Sequence, residues 1–266
     1  LGWYTIQAAT YGHFVAQVFH MGQVGEGICM AVSAIVMGIF AMCGIGAITI
    51  LGYIAIPAIV FLSIATAIRS LGVIGGMEAL FAYVPSSDMP LFTGITAVIG
   101  TWVLSTATCI ADIMRYAKDT KAAVSATLTG LLGGNILMIV CGAIAAIAMQ
   151  NSDLTVILLG FGLVIPSLIL MTTNIFTTNA ANLYSTSLNL SNAFKMERKK
   201  MLAILLALSA LATLTKPYEI GFLFTFLNIL GTVVPPLSGI ILSDYFLVHK
   251  GSYAAYDKAR FCKWNP

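Results

Sequence analysis

Between Thr172 and Ser185 the sequence reads TTNIFTTNAANLYS. Thr172, Thr173, Asn174, Thr177, Thr178, Asn179 and Asn182 load an otherwise apolar run with hydroxyl and amide oxygens. Neutral oxygens are hard donors, the kind Na+ takes. Asn174 and Thr178 are four residues apart and share a helix face, which can offer one ion a backbone carbonyl and hydroxyls. The same groups would serve equally well to hydrogen-bond neighbouring helices. From residue types alone both roles stay open.

A second cluster lies at Gly100, Thr101, Trp102, Ser105, Thr106 and Thr108. A small, polar, flexible centre with one large aromatic suits a discontinuous helix that exposes backbone to a midplane site. It also suits a Gly/Ser/Thr packing face. Near the start, Gln7 follows Trp3 by one helical turn, with Tyr4 between them. An aromatic and an amide on one face can stack on and hydrogen-bond a flat heterocycle, although Trp and Tyr also gather at membrane interfaces.

Ionisable side chains inside apolar runs are few. His13 falls mid-run, Asp112 stands three residues before Arg115, and Asp244 closes the last run. Such residues are functional candidates. His13 could relay protons, bind substrate or sit hydrogen-bonded in the interior. For Asp112 and Asp244, pairing or helix capping is expected. No HExxH, GxSxG or Walker sequence occurs, and no run holds a close carboxylate pair, so no enzyme is expected. None of the five Cys forms a CxxC pair, which argues against a zinc site or disulfide framework.

The elements that must position these residues follow from composition. Of 266 residues, 59% are hydrophobic and 9% charged, and mean hydropathy is +0.96. A soluble domain carries about 25% charged residues. This chain cannot cover a water-facing surface, so its outside must face lipid. A soluble enzyme and a nucleic-acid-binding module are excluded, the net charge of +3 being small and scattered. At roughly 30–35 residues per span and connection, the length allows about eight spans.

Apolar runs put these spans at 1–20, 28–47, 48–68, 93–114, 122–149, 154–185, 201–215 and 219–248. The loop 69–92 holds a short amphipathic piece, GGMEALFAYVP, and LSNAFKMERKK forms a polar loop after the sixth span. Gly130 and Gly134 make a GxxxG, read as a packing motif. The runs are continuously apolar rather than alternating, so a strand barrel is not expected.

Lysines and arginines test this map. Arg115, Lys118 and Lys121 follow the fourth span; Lys195, Arg198, Lys199 and Lys200 the sixth; Lys250, Lys258, Arg260 and Lys263 the eighth. The opposite side has only Arg69 and Lys216, eleven against two. The positive-inside rule puts the ends of spans four, six and eight in the cytoplasm. Leu1 opens inside an apolar helix with no initiator Met, and the chain ends on FCKWNP, so a fragment of a longer chain is expected.

These pieces, in this order, resemble the nucleobase–cation symporters, the cytosine/purine permease group, and within it the cytosine permease branch. The resemblance runs over essentially the whole chain. It rests on GWYTIQ, ILGYIAIPAI, GGMEAL, GTWVLSTATCIADIMRYAK, NIFTTNAANLYS and VPPLSGIILSDYF. It implies an all-α membrane protein, a multi-span helical bundle. This would be part of a five-plus-five inverted-repeat fold of the leucine-transporter type, with about eight transmembrane helices present, matching family spans three to ten. Residues 1–266 would form one transporter domain. Residues 1–68 would complete the first repeat, 69–92 an extracellular loop with a short amphipathic helix, 93–248 the second repeat, and 249–266 a cytoplasmic tail.

The resemblance implies a site residue by residue. Trp3 and Trp102 look like the aromatics that stack on the substrate ring. Gln7 matches a substrate-binding glutamine of some members, whereas cytosine permeases use a slightly earlier one, before Leu1. Gly100, Thr101, Ser105 and Thr106 would line the helix break, although Trp102 to Asp112 spans one residue more than the cytosine permease pattern. Asn174 through its carbonyl, Thr177 and Thr178 resemble sodium ligands, and Asn179 a substrate-facing amide. The first family span, which supplies the other sodium ligands, lies before Leu1, so the visible chain alone should bind sodium poorly and should not transport.

The implied function is import of a nucleobase, cytosine foremost, coupled to Na+ by alternating access in the cell membrane. A purine, uracil, allantoin, hydantoin or thiamine-precursor pyrimidine, or H+ coupling, are the alternatives within that class. A membrane-embedded structural subunit or enzyme is the alternative outside it. No cofactor, nucleic acid or obligatory protein partner is implied beyond the coupling ion, the base and the bilayer.

Overall fold

A computed structural model describes residues 1–43, 45–85, 88–99, 110, 113–151, 154–162 and 164–251. Among the described residues the regular structure is helical throughout. The helices are α1 (Gly2–Val18), α2 (Gln23–Met42), α3 (Ile45–Ile74), α4 (Met77–Phe81), α5 (Leu91–Val98), α6 (Thr120–Leu128), α7 (Asn135–Met149), α8 (Leu154–Gly160), α9 (Val164–Phe194), α10 (Arg198–Thr213) and α11 (Ile220–Ser243). A π-helical turn, Thr129–Gly134, joins α6 to α7, and another, Asp244–Val248, extends α11.

Four stretches are long and apolar enough to cross a membrane by length and composition: Gln23–Met42, Ile48–Ile74, Thr120–Met149 and Ile220–Val248. They coincide with the second, third, fifth and eighth expected spans. The first and seventh appear as the shorter α1 and α10. Of the fourth, α5 is described; the rest lies largely outside the described residues.

Two boundaries differ from the sequence expectation. The sixth span is broken: α8 ends at Gly160, and Gly162 adopts φ +68°, a left-handed conformation open to glycine without a Cβ clash. Arg69 donates from Nη2 to the Phe161 carbonyl at 3.0 Å, satisfying one of the acceptors a helix end leaves open. Beyond the break, α9 runs on to Phe194, through residues expected to form a loop. Ser187 Oγ donates back to the Tyr184 carbonyl at 2.8 Å, so a polar side chain is absorbed by its own helix.

The chain clusters into two compact units: residues 1–88 with 109–223, and 89–108 with 224–266. In the first unit, α1, α2, α9 and α10 enclose a core of Tyr4, Phe14, Met37, Leu183 and Leu202, each 2% exposed or less. α3 packs on α9 and α7. α1 and α2 approach closely: a methyl group at Gly12 would fall on the Met30 backbone. In the second unit, Gly231 of α11 gives the same closeness to the Thr96 carbonyl of α5. The outer faces are apolar; on α3, Ile50, Tyr53, Ile54, Phe61 and Ile68 are each more than 60% exposed. Such a surface requires an apolar solvent.

Candidate functional site

The first half of the site rests on α1. Trp3 and Gln7, one turn apart, are both half-buried. The Gln7 Oε1 atom is shielded from solvent and has no hydrogen-bond partner among the described residues. A buried acceptor without a donor costs about 1–3 kcal/mol, so this carbonyl stands ready for an N–H from outside the described residues. Two ties fix α1 to its neighbours. Tyr4 donates its hydroxyl to the Ala34 carbonyl of α2. Tyr11 hydroxyl bonds Thr172 Oγ1 of α9 at 2.9 Å.

Asn179 is fully buried. Its Nδ2 donates to the Tyr4 carbonyl at 3.0 Å and meets Met37 Sδ at 3.2 Å, joining α9 to α1 and α2. Its Oδ1 is buried without a partner among the described residues. The amide thus holds α1 in register through its nitrogen and leaves an acceptor on the other side.

The second half rests on α9. Thr177 Oγ1 donates to the carbonyls of Thr173 at 2.8 Å and Asn174 at 2.9 Å. Thr178 Oγ1 donates to the same Asn174 carbonyl at 2.9 Å. Three oxygens expected to hold an ion are thereby gathered at one point: the Asn174 carbonyl and two hydroxyls. A cation would take the oxygen lone pairs once the hydroxyl hydrogens turned aside. At about 100° per residue, this trio lies on the side of α9 opposite Thr172 and Asn179, which bond α1. The structure therefore assembles the trio and the Trp3–Gln7 pair separately. Asn174 also lines a cavity of about 110 Å³ between α3, α7 and α9, with Ser63, Thr66, Met138, Cys141 and Met171.

Gly100, Thr101, Trp102, Ser105, Thr106 and Asp112 lie outside the described residues. His13 is paired: its Nδ1 lies 2.8 Å from Glu26 Oε1, and its ring stacks on Tyr218 at 4.4 Å. Glu26 also accepts from Tyr218 hydroxyl at 2.6 Å and from Lys216 Nζ at 3.3 Å. Sequence inspection missed Glu26, because one carboxylate at a helix start carries no motif. It missed Tyr11 and Tyr184 because tyrosines in apolar runs read as packing or interface residues. At the loop after the fourth expected span, bonds from Tyr184 and Arg115 hold the Tyr116 phenol below its ordinary pKa.

An all-helical bundle with apolar outer faces and neutral polar groups turned inward defines a multi-pass integral membrane protein. The chain belongs to the family of permeases for cytosine/purines, uracil, thiamine and allantoin, whose model matches residues 1–261. It is similar to the cytosine permease of Escherichia coli strain K12, with 28% identity over 265 residues, covering 100% of this chain and 61% of the relative. It is also similar to the hydantoin permease of Microbacterium maritypicum, 29% identical over 192 residues, covering 65% of this chain and 39% of the relative. The allantoin permease of Bacillus subtilis is 25% identical over 217 residues, covering 73% of this chain and 43% of the relative. No solved structure matches significantly. Family and relatives are permeases rather than enzymes, and the protein is a multi-pass protein of the cell membrane.

Proposed function

We propose that the full-length protein imports a nucleobase, cytosine foremost, in symport with Na+ by alternating access. The observation that carries this reading is the buried carbonyl of Gln7, one turn from Trp3 and without a partner among the described residues. A planar base offers both a π face for an indole and an N–H for that acceptor. Trp3, Gln7 and Asn179 Oδ1 would contribute to the substrate site; the resemblance to the family also assigns to it Gly100, Thr101, Trp102, Ser105 and Thr106, which lie outside the described residues. The similarity to a cytosine permease over the whole chain supports the substrate class.

Na+ would bind at the Asn174 carbonyl with Thr177 and Thr178, together with ligands contributed from outside this chain. The convergence of two hydroxyls on one carbonyl supports that assignment. Ion and base would raise each other's affinity, since coupling between two sites is reciprocal. No intramembrane charge is needed, because the base is neutral and backbone and hydroxyl dipoles can hold the ion. The proposal includes the two-repeat organisation, with 1–68 and 93–248 as repeat segments, 69–92 as the outer loop and 249–266 as the inner tail.

Uptake of labelled cytosine by the full-length protein tests this. A hydrogen bond to a charged group is worth about 1.5–3 kcal/mol. Thr177→Ala or Thr178→Ala should therefore raise the Na+ concentration for half-maximal uptake about tenfold or more, while the Ser variants keep the hydroxyl and stay near wild type. Uptake indifferent to Na+ would overturn the sodium part. The names of the hydantoin and allantoin relatives favour a second reading with another heterocycle, which competition by unlabelled bases would reveal. Proton coupling has a seat in the His13–Glu26 pair. It predicts an uptake pH profile that His13→Ala abolishes.

A further inference from the structure

Where α2 ends and α10 begins, two arginines share one tyrosine. Arg115 Nη2 donates to Tyr184 hydroxyl at 3.0 Å and to Tyr116 hydroxyl at 2.9 Å. The two phenol oxygens are 3.0 Å apart. From the other side, the Arg198 guanidinium lies over the Tyr184 ring, its central carbon 4.7 Å from the ring centre. Arg198 Nε donates to Ser187 Oγ at 3.1 Å, and its Nη2 to the Ala41 carbonyl at 3.0 Å. The last contact satisfies an open carbonyl at the end of α2.

Every acceptor in this cluster, among the described residues, is neutral. Among the described residues neither arginine is paired with a carboxylate; the nearby ion pair, Lys200–Glu197 at 3.9 Å, is exposed and leaves both guanidiniums uncompensated. Two like charges around one phenol repel unless an anion joins them. Arg115 Nε and Nη1 and Arg198 Nη1 still carry N–H groups without a protein acceptor among the described residues. Arg115 is exposed and Arg198 half-buried, so the free edges are reachable.

The surroundings define the anion. A guanidinium fork matches the oxygens of a phosphate. Lys195, Lys199 and Lys200 follow along the chain, while Phe194 is 67% exposed beside them. An apolar ring next to a row of cations fits the boundary between acyl chains and headgroups. The positive-inside bias assigns this end to the cytoplasmic leaflet, whose surface is negative.

We propose that Arg115 and Arg198, braced around Tyr184, bind the phosphate of an anionic phospholipid headgroup in the cytoplasmic leaflet. The site is separate from the proposed transport site and does not depend on the substrate.

The experiment is native mass spectrometry of the purified full-length protein titrated with phosphatidylglycerol or phosphatidylcholine, with glycerol phosphate as a soluble competitor. Wild type should retain phosphatidylglycerol in preference to phosphatidylcholine. Loss of the charge-assisted hydrogen bonds from the guanidinium to the phosphate should make Arg115→Gln weaken this binding about tenfold or more. Arg115→Lys, which keeps the charge and loses the fork, should fall between. The double variant Lys199→Gln with Lys200→Gln should stay within about twofold of wild type, and glycerol phosphate should not displace the lipid. Arg198→Gln would also remove the bond to Ala41, so Arg115, being exposed, carries the decision. Unchanged lipid binding in Arg115→Gln overturns the proposal. So does an equal loss in the lysine variant, which would mean diffuse attraction. Displacement by glycerol phosphate overturns it too, assigning the cluster to free phosphate.

Discussion

Asn179 illustrates what one polar side chain inside an apolar bundle can do. Its nitrogen is committed to the Tyr4 carbonyl and the Met37 sulfur, and it is fully buried. Removing it leaves a helix junction without its tie. Asn179→Ala should lower the stability of the substrate-free protein by about 2 kcal/mol, read as a fall in apparent melting temperature of the purified full-length protein. An amide serving substrate alone would leave that melting unchanged. The sequence made the polar load of α9 obvious but not its allocation. Asn174, Thr177, Thr178 and Asn179 are alike in type and differ by the 100° steps that turn some toward α1 and others away. Which partner lies in each direction is a tertiary fact. The open oxygen of Gln7 was likewise invisible, since it is defined by the lack of a donor among the described residues around it.

At the scale of elements, helix existence was legible and helix limits were not. Hydropathy marks where lipid can be tolerated. Helices end where backbone bonds can be closed by other means. So α9 continues through Ser187 and Ser191, whose hydroxyls bond back to the helix, and the sixth expected span breaks at Gly162 in apolar sequence. The GxxxG at Gly130 and Gly134 is a further correction. Both lie in the π-helical turn, and among the described residues an added Cβ at either meets nothing within 4 Å. Close approaches belong instead to Gly12 and Gly231, which no motif flags. The expected contrast is sharp. Gly12→Val should wedge α1 from α2 and cost at least about 1–3 kcal/mol, seen as loss of folded protein on size-exclusion chromatography. Gly130→Ala should be neutral or stabilising by up to about 1 kcal/mol.

At the scale of the whole molecule, α2 separates two polar clusters of opposite character. Glu26, near its start, gathers His13, Lys216 and Tyr218. Ala41, near its end, receives Arg198, whose ring contact is Tyr184 and whose neighbour is Arg115. At 1.5 Å rise per residue the two positions are about 22 Å apart along the helix, comparable with the apolar thickness of a bilayer. The cluster built on a carboxylate contains one of the two basic residues expected outside. The cluster of arginines contains two of those expected inside. Residues distant in sequence were thus sorted to the ends that the count of lysines and arginines assigns them, although that count used no contact. The orientation follows: Gln23, exposed at the start of α2, should face the exterior, and Lys199, exposed at the start of α10, the cytoplasm. In full-length protein whose native cysteines are replaced, Gln23→Cys should react with a membrane-impermeant maleimide on intact cells. Lys199→Cys should react only after permeabilisation. Equal labelling of both on intact cells, or the reverse order, would break the link between charge count and fold, and with it the assignment of the arginine cluster to the inner leaflet.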